Sequence, residues 1–199
     1  MMALQSLFVT LALAASAMLP GGLAQAQSQA QGCKAEQLGA QKAIDFGTAY
    51  AAADKRARAW QADVVVVRLG NTILGPIDAD ARSANWYMVW FSKAAQKTLA
   101  VSIANGMLTC STDEDAGRAV PAMKGDLYRD VKQMLATGAE KGGAALIAKG
   151  AQPMVQFSVG PNSTGRKGVW FINYQVKLGP SLQVTFDGAT GKFEQAIPG

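Results

Sequence analysis

The side chains able to do chemistry are few and far apart. The chain of 199 residues contains no histidine, which removes Ser-His-Asp and Cys-His catalysis, His-based zinc sites and histidine acid–base work. Its two cysteines, Cys33 and Cys110, cannot hold a structural zinc alone. Carboxylates remain. Asp63, Asp78, Asp80, Asp187 and Glu194 are the acids a histidine-free hydrolase would have to use. Each stands where a turn or loop acid is expected, and Asp187-Gly188 is explained by turn geometry. Asp113 and Asp115 are spaced like calcium ligands but lack the Gly and the later Glu of an EF-hand loop. The run Gly160 to Gly168 has the outline of a phosphate loop and fails at three points. Arg166 stands where Lys is needed, no Ser or Thr follows to hold magnesium, and the loop leads into a strand instead of a helix N-terminus. The expectation is a non-enzymatic protein with no metal and no cofactor.

Binding chemistry is better supplied. Trp86, Trp90, Trp170 and Tyr174 sit in two aromatic runs, and Trp and Tyr are the residue types that anchor protein interfaces. In the first run Trp86, Met88 and Trp90 share one face of a strand, and Tyr87, Val89 and Phe91 share the other. One face packs on a helix. The second is either buried within the molecule or exposed as a binding patch. Arg166 and Lys167 lie in the loop before the second run, and Lys55, Arg56 and Arg58 form one further basic cluster. These five cations define an alternative, a site for a small molecule or an anionic envelope polymer. The net charge of +5 reads as solubility and not as a nucleic-acid footprint.

Compartment follows from the N-terminus and the cysteines. Residues 1–26 contain no charged side chain, carry an apolar core from Leu7 to Ala15, break at Pro20-Gly21-Gly22 and end in Ala24-Gln25-Ala26. This is the pattern of a cleaved signal peptide, and the apolar run is short for a spanning helix of about 20 residues. The expected location is periplasmic or secreted, without stable membrane insertion after cleavage. An even cysteine count in an exported chain favours a Cys33–Cys110 disulfide.

The elements that must position these residues are legible from period. Residues 27–34 read as a flexible tail. Ala35 to Trp60 is rich in helix formers and is predicted as one helix or two short ones. Val64 to Leu69 is a β-branched strand, with turns at Gly70-Asn71 and Gly75-Pro76. Trp86 to Phe91 and the strictly alternating Leu99 to Ala104 make an antiparallel hairpin ending at Cys110. Residues 111–124, acidic and containing Gly117 and Pro121, read as a linker. A second helix is predicted from Gly125 to Lys149, with Asp126 as N-cap and a kink at Gly142-Gly143. Strands then follow at Met154–Val159, Val169–Val176, Leu182–Phe186 and Lys192–Ala196.

The two halves repeat. Trp86 and Trp90 correspond to Trp170 and Tyr174; Leu99, Val101 and Ile103 correspond to Leu182, Val184 and Phe186; Asn105-Gly106 corresponds to Asp187-Gly188. Helix, strand and aromatic hairpin recur in the same order, which favours duplication. The stretch Leu182-x-Val184-x-Phe186-Asp187-Gly188-Ala189-Thr190-Gly191-Lys192-Phe193 resembles the C-terminal signature of PepSY domains, a strand followed by a D-x-x-T-G turn and a short strand. Val169 to Val176 resembles the aromatic strand before it. The first half matches more weakly, since Asn105-Gly106-Met107 replaces the D-x-x-T-G turn. The fold class expected is α+β, with two tandem PepSY-like units at 35–110 and 125–199 paired into one body. The resemblance implies a protein-binding module of the envelope that inhibits or regulates a peptidase or cell-wall enzyme, with no catalytic residues to transfer.

Overall fold

The period-two runs form strands, and all strands but two short ones, Ile44–Asp45 and Arg82–Ser83, which pair with each other, join in one antiparallel sheet. In the computed structural model, residues 33–72, 75–113, 123, 126–159 and 167–199 are described. Residues 1–26, read as a signal peptide, most of the stretch read as a tail, most of the stretch 111–124 read as a linker, and residues 160–166, Arg166 included, lie outside the described residues. The described chain runs β1 (Glu36–Gln37), β2 (Ile44–Asp45), α1 (Phe46–Trp60), β3 (Val65–Asn71), β4 (Arg82–Ser83), β5 (Asn85–Ser92), β6 (Lys97–Ala104) and β7 (Met107–Asp113). It continues with α2 (Val131–Gly138), a π-helical turn (Ala139–Gly143), α3 (Ala144–Ile147), β8 (Gln152–Val159), β9 (Gly168–Gln175), β10 (Ser181–Asp187) and β11 (Phe193–Pro198). The protein is mixed α+β.

Nine strands pair in the order β1-β7-β6-β5-β3-β8-β9-β10-β11. Two meanders therefore run outward from a central β3–β8 seam. That seam is short, with Arg68, Leu69 and Gly70 opposite Ser158, Phe157 and Gln156. Asn71 extends it: its buried carboxamide oxygen accepts the Val155 N–H at 2.7 Å, and its amide nitrogen donates to Gly75 O at 2.8 Å. The halves thus join edge to edge in one sheet.

One face of the sheet carries the core. Reading across the registers, Met88, Leu69, Phe157, Trp170 and Phe186 lie in one row on that face. Phe46, Ala49, Tyr50, Ala53 and Ala57 of α1 and Val131, Met134 and Leu135 of α2 bury against it. The three alanines let α1 approach closely. The Phe46 ring lies edge-on to both Trp86 and Trp170, each at 5.4 Å, so a single side chain packs the two halves into a continuous core. Around Tyr174 the second helix yields. A Cβ at Gly143 would lie 2.4 Å from the Tyr174 ring, and Gly142 takes φ +117, producing the expected kink.

The two sheet edges differ. On one side Cys33 to Leu38 lies along β7. Cys33 and Cys110 form the predicted disulfide, with Cα atoms 5.2 Å apart, and Leu38 N–H donates to Gly106 O at 2.9 Å. On the other side β11 pairs with β10 alone.

Four sequence expectations need correction. Residues 35–45 are not helical, with strand only at Glu36–Gln37 and Ile44–Asp45 and bends between; the helix starts only at Phe46, because the segment's first part is tethered along β7 and Asp45 caps the helix, accepting from Thr48 N–H at 2.9 Å. Gly70-Asn71 is no turn but the end of β3 at the seam. The first hairpin gains a further strand, β7, through a turn in which Asn105 and Gly106 both have positive φ; it carries Ser111 to Asp113 out of the stretch read as linker and into pairing with β6. The second helix begins at Val131, capped by Asp130 instead of Asp126, because Tyr128 N–H is held by Gly188 O at 2.9 Å.

Candidate functional site: the open face of the sheet

Strand alternation divides the candidate aromatics sharply. Trp86, Trp90, Trp170 and Tyr174 are all on the helix-covered face and fully buried. They are core residues, and the expectation that they line a binding surface is corrected accordingly. Trp86 Nε1 donates to Ile44 O at 2.9 Å, and Trp170 Nε1 donates to Tyr128 O at 3.0 Å. Each acceptor lies just before a helix N-cap, and both pairs are 42 residues apart in sequence. Cross-strand partners match as well: Trp86 opposes Ile103 and Trp90 opposes Leu99, while Trp170 opposes Phe186 and Tyr174 opposes Leu182. Burial pushes the Tyr174 hydroxyl up to about 12, so it serves only as a protonated donor, toward Leu135 O.

Three of the five basic residues are engaged within the chain. Arg56 pairs with Glu36 and Arg58 with Asp54. Lys167 lies between Asp187, at 3.2 Å, and Glu194. The candidate acids hold turns. Asp63 accepts from Ser92 Oγ at 2.7 Å and Ala94 N–H at 2.8 Å, and these bonds, led by that from Ser92, lower its pKa. Asp78 accepts from Asp80 and Arg82 N–H, and Asp80 pairs with Lys132 at 2.6 Å. Asp187 Oδ1 accepts from Thr190 N–H and Thr190 Oγ1, both at 2.9 Å. Burial alone would raise the Asp187 carboxyl; the bonds from Thr190, Lys167 and Ala189 outweigh it and hold the group at about 2. Two pairs of candidate acids are thus brought together, Asp187 with Glu194 around Lys167 and Asp78 with Asp80 near Lys132. No group of three or more metal-ligating side chains occurs among the described residues.

What remains is the face that, among the described residues, no helix covers. Tyr87 lies opposite Gly70, Gly70 opposite Gln156, and Gln156 opposite Phe171. With strands about 4.8 Å apart, the Tyr87 and Phe171 backbones stand roughly 14 Å from each other. The missing side chain at Gly70 leaves a depression of about 460 Å³ between them, also bordered by Arg68, Ser158 and Gln183. A second depression of about 360 Å³ adjoins it toward Met154, Asn173 and Lys177; Gln183 Nε2 donates to Asn173 Oδ1 at 2.9 Å between the two. Tyr87 is 37% exposed, and Met107 and Ile197 lie exposed farther out on β7 and β11. Sequence reasoning named the tryptophans as binding residues, left open which face of the first run is exposed, and passed over Phe171. The available signal was Tyr87 and Phe171, which follow Trp86 and Trp170 directly and must point the opposite way.

No protein-family model matches the chain, and no curated protein matches it. Among solved structures, the backbone is similar to the crystal structure of a "putative lipoprotein" from Clostridium difficile 630, with TM-score 0.50 and 9% identity over 75% of this chain and 92% of that one. At that identity the likeness concerns the fold alone. The disulfide fits an oxidising, extracytoplasmic compartment. Among the described residues no helix is long and apolar enough to cross a membrane.

Proposed function

We propose that the protein is an exported, non-catalytic protein-binding module, made of two PepSY-like units, that docks a partner on the open face of its sheet and regulates it. The partner class implied by the PepSY resemblance is a peptidase or cell-wall enzyme of the periplasm or cell surface. The observation that carries the docking reading is the composition of the helix-free face. Arg68 is the one charged residue that lines its central depression, and Tyr87 and Phe171 stand beside it, where a merely solvated sheet face would alternate charged and polar residues. The duplication is supported by the matching registers and by the two indole bonds spanning the same 42 residues. The alternative, an anionic polymer site, draws less support, since Arg56, Arg58 and Lys167 already face carboxylates.

The test is affinity capture by the oxidised protein from its own envelope extract, with Tyr87→Ala and Phe171→Ala as parallel baits. Both variants are expected to stay folded and to lose one recurrent protein. A recurrent protein that is retained by both would move the docking surface elsewhere, and a lack of any enrichment after cross-linking would refute the module reading.

A further inference from the structure

We propose that the depression beside Arg68 receives a single carboxylate, an Asp or Glu side chain of the docked partner next to an apolar residue. This rests on the open face being the docking surface. Arg68 follows a break in register between Val66 and Arg68, where Val67 bulges out of the β3–β5 ladder. Bulges re-aim the side chains beside them. Its direct cross-strand neighbours are Val89 and Ser158, and the next row on the same face holds Tyr87, Gly70 and Gln156. All are uncharged. Among the described residues Arg68 makes no ion pair, in contrast to Arg56, Arg58, Lys132 and Lys167.

Two residues along the same face, Gly70 provides the room. The neighbouring strand comes so near that a Cβ at this position would stand 2.6 Å from Val155 O. The depression that results has an exposed cation at one end, an aromatic ring on either side, and the amides of Gln156 and Gln183 for secondary hydrogen bonds. A guanidinium is always protonated and presents a planar fork that matches a carboxylate in bidentate fashion. Walls of ring and strand displace water and strengthen that contact relative to one in bulk solvent. A phosphate is the poorer match: dianionic phosphoryl groups are recognised by clusters of arginines, and here there is one. The apolar neighbour is required by Tyr87 and Phe171, whose rings would otherwise remain wet around the ion pair.

The inference is tested without knowing the partner. The full oxidised chain is titrated with acetyl-Asp-Leu-amide and, separately, with its neutral analogue acetyl-Asn-Leu-amide, following amide and arginine Nε–H signals by NMR at low salt. Saturable shifts are expected at Arg68 Nε–H, Gly70 and Gln156, with the neutral peptide at least about tenfold weaker, as befits a charge-assisted contact. In Arg68→Gln the two peptides should bind alike, and Arg68→Lys should restore part of the difference. Equal binding of the two peptides to the wild type, or shifts centred elsewhere, overturns the carboxylate site. The capture experiment separates the two readings. If Tyr87→Ala loses the partner while Arg68→Gln keeps it at full strength, the carboxylate inference falls and docking stands. If the acidic peptide binds at Arg68 while capture is indifferent to Tyr87, the partner is overturned as the source of the carboxylate.

Discussion

Replacing Trp86 or Trp170 by Phe probes the core at two matched points. Each change removes a buried indole N–H and orphans a carbonyl just before a helix, Ile44 O or Tyr128 O. Losing that bond costs about 1 kcal/mol. The smaller ring also vacates roughly 40 Å³, worth about 1 kcal/mol more at the usual cavity coefficient. Each variant should therefore lose about 2 kcal/mol, a drop of roughly 1 M in the urea midpoint for an m-value near 2 kcal/mol/M. The double variant should not be additive, because both rings contact Phe46. A departure from the sum of about 0.5 kcal/mol or more is expected for residues sharing a partner. Equilibrium urea unfolding followed by far-UV circular dichroism gives all three values. The reasoning is refuted if one single variant is neutral while the other costs the full amount, or if wild-type unfolding resolves into two transitions, one for each half.

Three further outcomes follow from particular contacts. Leu178 is fully exposed at the tip of the β9–β10 turn with φ +55, so Leu178→Asn should stabilise the protein by about 0.5–1 kcal/mol in thermal unfolding, the left-handed conformation being costly for Leu and tolerated by Asn. Asp187 is held at about 2 against an ordinary 3.8; a depressed carboxyl contributes stability in full above its unfolded pKa and loses it as pH falls through the folded one. The wild-type midpoint temperature should therefore fall from about pH 4 to pH 2, and Asp187→Asn should lower it at pH 6 and flatten that fall. Reducing the Cys33–Cys110 bridge, which closes a separation of 77 residues, should cost up to about 4–5 kcal/mol on the chain-entropy model. Thiol labelling of the native exported protein should find neither cysteine free; full labelling would sink the bridge.

The hairpins were legible because alternation is a local property. The spacing of Trp86, Trp90, Leu99 and Ile103 and its counterpart at Trp170, Tyr174, Leu182 and Phe186 specifies both pairings, and the registers agree. Residues 35–45 misled because Ala, Lys and Gln favour a helix in isolation, whereas a tether to β7 decides the matter in three dimensions. Gly70-Asn71 carries an ordinary turn signal, and only the approach of β8, distant in sequence, turns it into a seam. The open face was the least legible part. With Tyr87, Val89 and Phe91 as apolar as the opposite set, composition does not say which side the helices take. The unbroken valine run from Val64 to Val67 also hides the bulge that sets the direction of Arg68.

The unequal edges of the sheet bear on how copies of this chain can meet. Strand-by-strand polymerisation needs two receptive edges on every subunit, one to accept a neighbour and one to offer to the next. Here the N-terminal segment, fastened through Cys33, lies over β7 along Gly106 to Cys110 and leaves the two-residue β1 as that edge, while among the described residues the longer β11 is unpaired on its outer side. Short edge strands pair poorly with a neighbour, so of the two edges the six-residue β11 is the better suited to meet a second copy, about a twofold axis. The disulfide is thus also a fastener of the shorter edge: it holds the two-residue strand over β7, and in a reducing environment that cover would be loosened.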